Sequence, residues 1–249
     1  MFGPLDVGLD QIDDIVEIGT DVVASVAYLV VVDWMFVEGP KILEIGCGTG
    51  NNTDLLQRVT QSDVYGVEPS EGMLSKAQQK DSKVVFKSGD AEHIPFEGEY
   101  FDFVYMTDVI HHVPDIGKMF AEINRVLKKI GKVCIVTQSH RQIEKRPIVQ
   151  FFPGTATVDK ERYPDIDKII ARAEEQQIKF MKNTISYENE VVELGLDYLE
   201  LVKKKGYSML HLISDEEYGE GLKLLEAELK NGKIRAKLSG ETLVWFTKA

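Results

Sequence analysis

The stretch Ile42-Leu43-Glu44-Ile45-Gly46-Cys47-Gly48-Thr49-Gly50-Asn51 decides the fold. It reads as a buried strand, a glycine-rich turn and the polar start of a helix. Glycine lets the backbone bend sharply and lets another group approach main-chain atoms that a Cβ would cover. Such a turn at the carboxyl end of a strand marks the binding crevice of an open α/β sheet.

Working outward, short apolar runs at 42–45, 64–67, 84–86, 101–106 and 132–137 read as strands. They are nearly continuous rather than alternating, as expected when both faces of a sheet are covered. The clearest helix spans 116–127, where Ile116, Met119, Phe120, Ile123, Val126 and Leu127 share one face at a 3.6-residue period. Gly131 is placed as its left-handed C-cap. Strands alternating with helices predict parallel pairs joined by right-handed crossovers, hence a doubly wound α/β sheet. Beyond Thr137 the texture changes. Residues 139–164 read as a polar, irregular loop; helices are expected at 165–175, 190–204 and 215–230, with strands at 178–187 and 242–247. The apolar run 22–32, with Asp21 as N-cap, reads as a buried helix, too short to span a bilayer.

The chain has 249 residues, 43% hydrophobic and 28% charged, the size and balance of one large globular domain. Its 29 Lys and Arg against 41 Asp and Glu leave a net charge of −12, which argues against nucleic acid or an anionic membrane surface as partner. Residues 1–40 contain no Lys or Arg, so no secretory signal is expected. The two cysteines, Cys47 and Cys134, support neither a disulfide framework nor a Cys-rich metal cluster; no metal is expected, and a reducing, cytoplasmic setting is.

The turn departs from the dinucleotide pattern G-x-G-x-x-G, because Gly50 comes one residue early and Asn51 stands where a glycine is wanted. Glu44 would repel a pyrophosphate; it either orders the glycine-loop amides or sits near a positively charged ligand. Both points favour a cationic or zwitterionic nucleoside. Glu68 ends the second strand, 18 residues after Gly50, where a carboxylate accepts from ribose hydroxyls. Asp90, after the third strand, is placed to accept from an exocyclic amine of adenine, with the Ala91 amide donating to a ring nitrogen; Gly89-Asp90 also reads as a plain turn. Thr107 and Asp108 end the fourth strand, beside the glycine turn.

Together these residues resemble the class I S-adenosylmethionine-dependent methyltransferases, and within them the small-molecule branch described as the methyltransferase type 11 domain. The matching stretches are Leu43 to Gly50, Val67-Glu68-Pro69-Ser70 with Met73-Leu74, Gly89-Asp90-Ala91-Glu92 with Ile94-Pro95-Phe96, Phe101-Asp102 to His111-His112-Val113, and Arg125 to Lys132. The resemblance implies a seven-stranded Rossmann-like sheet of order 3-2-1-4-5-7-6 with strand 7 antiparallel, for which 242–247 is the candidate. It implies S-adenosyl-L-methionine as cofactor. Gly46 and Gly48 would face its methionine part, with Glu44 and Cys47 in the same turn. Glu68 would hold the ribose, Pro69 and Met73 pack on the adenine, Asp90 and Ala91 read its edge, and Thr107 lie near the methionine moiety.

On this reading the chain is a single methyltransferase domain: 1–40 an N-terminal helical cap, 41–138 the cofactor-binding core, 139–249 the substrate-side loop, insertion helices and last strands. The activity implied is in-line methyl transfer to a small-molecule acceptor; a cofactor-binding regulator without turnover is the alternative. Candidate acceptor-side residues are His111, His112, Arg146, Phe152 and Tyr163, for each of which capping, solvation or packing is the plainer reading. The nucleic-acid amino-methylating signature, Asn/Asp-Pro-Pro-Tyr after the fourth strand, is replaced by Thr107-Asp108-Val109-Ile110.

Overall fold

A computed structural model describes residues 39–249. The expected helix at 22–32, its cap Asp21 and nearly all of the 1–40 segment lie outside the described residues. In chain order the elements are β1 (Lys41–Ile45), α1 (Asn51–Thr60), β2 (Asp63–Glu68), α2 (Glu71–Gln78), β3 (Val85–Ser88), β4 (Phe101–Thr107), α3 (Ile116–Val126), β5 (Leu127–Thr137), α4 (His140–Glu144), α5 (Gly154–Arg162), α6 (Ile166–Glu175), β6 (Ile178–Ser186), β7 (Val191–Leu194), α7 (Leu196–Lys203), α8 (Asp215–Leu229), β8 (Ile234–Lys237) and β9 (Glu241–Lys248). They form two compact units. One comprises 39–136, Ile170–Asn183 and Leu243–Ala249; the other comprises Thr137–Ile169 and Thr184–Thr242.

The first unit is built on a seven-stranded sheet of order β3-β2-β1-β4-β5-β9-β6. β1 pairs in parallel with β2 and β4, β2 with β3, and β4 with β5. β9 runs the other way. Near its end, Lys248 donates from Nζ to the Leu127 carbonyl at the start of β5 (2.7 Å), whereas Gly240, just before β9, accepts from Gln138 beyond the end of β5 (2.7 Å). This is the order and the antiparallel last strand that the family resemblance implies.

Both sheet faces are covered. Ile42, Leu56, Val64, Phe103, Tyr105, Cys134, Val136 and Trp245 form one buried cluster. The alternate residues Leu43, Val104, Met106, Val133 and Ile135 are equally buried, which is why the strand sequences read as unbroken apolar runs. The parallel register aligns Ile45 with Val67 and Glu44 with Tyr105, so the glycine turn, Glu68 and Thr107 all emerge at the same carboxyl edge.

Three sequence expectations are corrected. Gly131 is not a C-cap: α3 ends at Val126, its C-cap Leu127 enters β5 directly, and a Cβ on Gly131 would meet Leu127 Cγ at 2.7 Å. The sheet register steps from Phe101↔Leu127 to Phe103↔Lys132, so the intervening residues bulge, with Ile130 at φ +60. Residues 139–164 are not irregular. Ser139 and Gln142 close a capping box that starts α4, Pro147 opens a 3-10 turn (Pro147–Gln150), and α5 follows. The expected helix at 190–204 begins as strand β7, where the β-branched pair Val191-Val192 joins an antiparallel ladder with β8; only Leu196–Lys203 is helical.

In the second unit, Ile148, Phe151, Phe152, Leu199, Val202, Met209, Leu210, Leu225 and Ile234 make a separate apolar core. Among the described residues, no helix is long and apolar enough to cross a membrane, and no group of three metal-ligating side chains occurs.

Candidate functional site

The glycine turn hangs from β2: the Gly46 and Cys47 amides both donate to the Val67 carbonyl, at 2.9 and 3.0 Å. Gly46, Gly48 and Gly50 have φ of +73, +55 and +74, left-handed conformations that disfavour a Cβ. The three differ in what surrounds them. A Cβ on Gly46 would strike Val109 at 2.5 Å and one on Gly50 would strike Phe86 at 2.6 Å, whereas one on Gly48 would meet nothing within 4 Å. Gly46 and Gly50 are therefore held by packing, and Gly48 faces open space. Burial, with Glu44 and Glu68 nearby, pushes the Cys47 thiol up to about 12, so it is no nucleophile.

Glu68 joins the turn to the next helix. Its Oε2 accepts from the Gly48 amide (2.9 Å) and its Oε1 from the Ser70 amide (2.9 Å). Ser70 in turn caps α2, accepting from Met73 N. The sequence left Glu44 with a choice between ordering the loop amides and facing a cation. In the structure Glu68 takes the Gly48 amide, and Glu44 Oε2 accepts from the Thr53 hydroxyl of α1 (2.5 Å) and the Tyr105 hydroxyl of β4 (2.9 Å). Glu44 is 2% exposed, and burial raises its carboxyl to about 7 despite these two bonds, which pull it down.

Pro69 and Met73 lie exposed beside Glu68, Met73 at 48%. Asp90 Oδ1 accepts from the Glu92 amide (2.8 Å) in an Asx turn and lies 3.2 Å from His93 Nδ1; Ala91 is buried. The Thr107 hydroxyl, at the end of β4, is buried and has no hydrogen-bond partner among the described residues. His111 and His112 occupy a 3-10 turn after β4 (Ile110–His112) with ring centroids 4.0 Å apart.

The remaining acceptor-side candidates are in the second unit. Arg146 donates to Asp159 and to Gln138. Asp159, 1% exposed, also binds Arg162 at 3.0 Å. Tyr163 sits beneath the Arg146 guanidinium, 5.2 Å from ring centre to Cζ, and packs with Ile143 and Ala156. Phe152 is fully buried, stacked on Tyr218. Sequence reasoning missed Thr53, Tyr105 and Asp159. Tyr105 was legible only as one apolar letter of β4; its hydroxyl gains meaning from the parallel register with Glu44.

Residues 43–135 match the methyltransferase domain family. The chain is 36% identical over 105 residues to phosphoethanolamine N-methyltransferase 2 of Caenorhabditis elegans (40% of this chain, 24% of that protein). It is 31% identical over 157 residues to demethylmenaquinone methyltransferase of Staphylococcus aureus strain MRSA252 (60% of this chain, 62% of that protein). A crystal structure of a methyltransferase from an antibiotic biosynthesis pathway of Anabaena variabilis, itself of unproven activity, superposes with a TM-score of 0.71 at 22% identity, covering 90% of this chain and 96% of the other. The chain thus spans about a quarter of the first of these relatives and under two thirds of the second. By the match over residues 43–135 and by its fold, the chain is similar to the S-adenosylmethionine-dependent methyltransferases.

The residues present fit that family's cofactor, S-adenosyl-L-methionine. Gly48 opens on free space, Glu68 holds a carboxylate at the same strand edge, Pro69 and Met73 offer apolar surface beside it, and Thr107 has an unspent hydroxyl.

Proposed function

We propose that the protein binds S-adenosyl-L-methionine across the carboxyl edge of β1, β2 and β4 and catalyses methyl transfer to a small-molecule acceptor. The supporting observation is the pairing of a left-handed, open-sided Gly48 with the Glu68 carboxylate. Glu68 accepts from the ribose hydroxyls, Pro69 and Met73 cover one adenine face, and Asp90 and the Ala91 amide meet its edge. Gly46, Gly48 and Thr107 bound the methionine part. The cofactor supplies an intrinsically activated methyl group. The chain's work is to orient the acceptor in line, hold it at about 3–3.5 Å and exclude water.

The names of the two relatives both specify small molecules, phosphoethanolamine and demethylmenaquinone. The net charge of −12 disfavours a nucleic-acid acceptor. Two buried free thiols fit a reducing compartment, and we place the protein in the cytoplasm. His111 and His112, beyond the end of β4, are the candidate bases for an acceptor that must lose a proton.

Incubation with methyl-labelled S-adenosylmethionine and a small-molecule cell extract tests this reading. A labelled low-molecular-weight product is expected. Tight cofactor binding without any transfer would point instead to a regulatory role.

A further inference from the structure

Glu44 is enclosed beneath the glycine turn, and its surroundings are specific. Two hydroxyls from different elements, Thr53 on α1 and Tyr105 on β4, converge on the same oxygen, Oε2. Thr53 is fully buried and Tyr105 is 1% exposed, so neither hydroxyl exchanges this bond for water. The three side chains tie together the strand before the turn, the helix after it and the neighbouring strand whose end carries Thr107.

We infer that Tyr105 is a positioning residue for the cofactor, acting through Glu44: its hydroxyl and that of Thr53 hold Glu44 ionised and in one orientation behind the turn, so that a cationic ligand meets an aligned negative charge. This rests on the cofactor reading above and adds to it a residue outside the binding surface. Hydroxyls that donate to a carboxylate favour its ionised form. Burial opposes them and leaves the group near 7, so the balance between the forms depends on those two bonds.

Other titratable groups around Glu44, among the described residues, do not replace this device. On α1, Asp54 is paired with Arg58 at 2.6 Å. In the turn, the Cys47 thiol stays protonated. On β2, Glu68 is a like charge whose oxygens accept from Gly48 and Ser70. On β4, burial and the adjacent Glu44 keep the Tyr105 phenol well above its usual range, so it remains a donor. His111 and His112 follow β4.

The test is calorimetric titration with S-adenosylmethionine from pH 6 to 8.5 on the wild-type chain, Tyr105→Phe, Thr53→Val and Glu44→Gln, with thermal unfolding recorded alongside. Wild-type affinity should weaken as pH falls through about 7. Tyr105→Phe should move that limb upward by about one pH unit, the size expected for losing one hydrogen bond to a charged group. Thr53→Val should move it in the same direction, and Glu44→Gln should abolish the limb. A Tyr105→Phe profile superimposable on wild type, or a limb that persists in Glu44→Gln, would overturn the inference while leaving the cofactor assignment intact. Absence of wild-type binding at every pH would overturn both.

Discussion

Gly48 and Glu68, twenty residues apart, are joined by a 2.9 Å hydrogen bond from the Gly48 amide to Oε2. One carboxylate therefore fixes the open side of the glycine turn and, through Oε1 and Ser70, the start of α2. On the proposed reading, a ribose would meet a group already immobilised by two backbone donors, so little ordering would accompany binding.

Glu68→Ala removes the anchor of the turn and the proposed ribose acceptor. Hydrogen bonds to a charged acceptor contribute about 1.5–3 kcal/mol each, so S-adenosylmethionine affinity should fall roughly ten- to a hundred-fold. Isothermal titration calorimetry checks this; an unchanged Kd would mean the ribose is held elsewhere.

Gly46 and Gly48 should separate stability from binding. Gly46→Ala drives a Cβ into Val109 and should lower the unfolding midpoint in urea. A Cβ on Gly48 meets nothing within 4 Å, and Gly48→Val places a branched side chain at φ +55 on that open side. It should abolish cofactor binding while lowering stability by only about 1–2 kcal/mol. Binding that survives Gly48→Val would show that the turn does not touch the ligand.

These pairings show how far the sequence could be read. The β1 turn and the acid ending β2 were legible, because glycine spacing and apolar runs are local signals; the sheet order followed only from the family resemblance. Tyr105 was not, because its role depends on which residue of β1 lies beside it. The α4–α5 region reads as a loop from its polar composition, although Ser139 and Gln142 stand at capping-box spacing. The β7 start was mistaken for helix because Val191 to Leu194 has a partner strand, β8, some forty residues on, which no local periodicity reveals. The packing of Phe152 and the Arg146–Asp159 pair are likewise tertiary facts.

Glu44 makes folding pH-dependent in a defined direction. Its carboxyl is raised in the folded state from 4.5 to about 7, so the native chain binds the extra proton. The stabilisation is fully present below about 4.5 and is lost as pH rises to about 7, with a slope of about 1.4 kcal/mol per pH unit across that window. Glu44→Gln should remove this slope: its stability relative to wild type should increase between pH 4.5 and 7. Urea denaturation at a series of pH values reads this out, and parallel profiles would refute it.

Asp159 is a nearly inaccessible carboxylate shared by Arg146 and Arg162. Asp159→Ala leaves two partly buried guanidiniums without their counter-charge and should destabilise the chain by about 3–5 kcal/mol. A loss below about 1 kcal/mol in urea denaturation, the range of exposed pairs, would mean that water takes over the pair's role.

On the proposed reading, the edge above β1 and β2 takes an adenosyl sulfonium and not a diphosphate. The most direct measurement is calorimetric titration of the purified chain with S-adenosylmethionine and, separately, with NADH. S-adenosylmethionine should bind saturably and one to one, more weakly in Glu68→Ala, and NADH should not bind. Saturable binding of NADH with none of S-adenosylmethionine would contradict that reading.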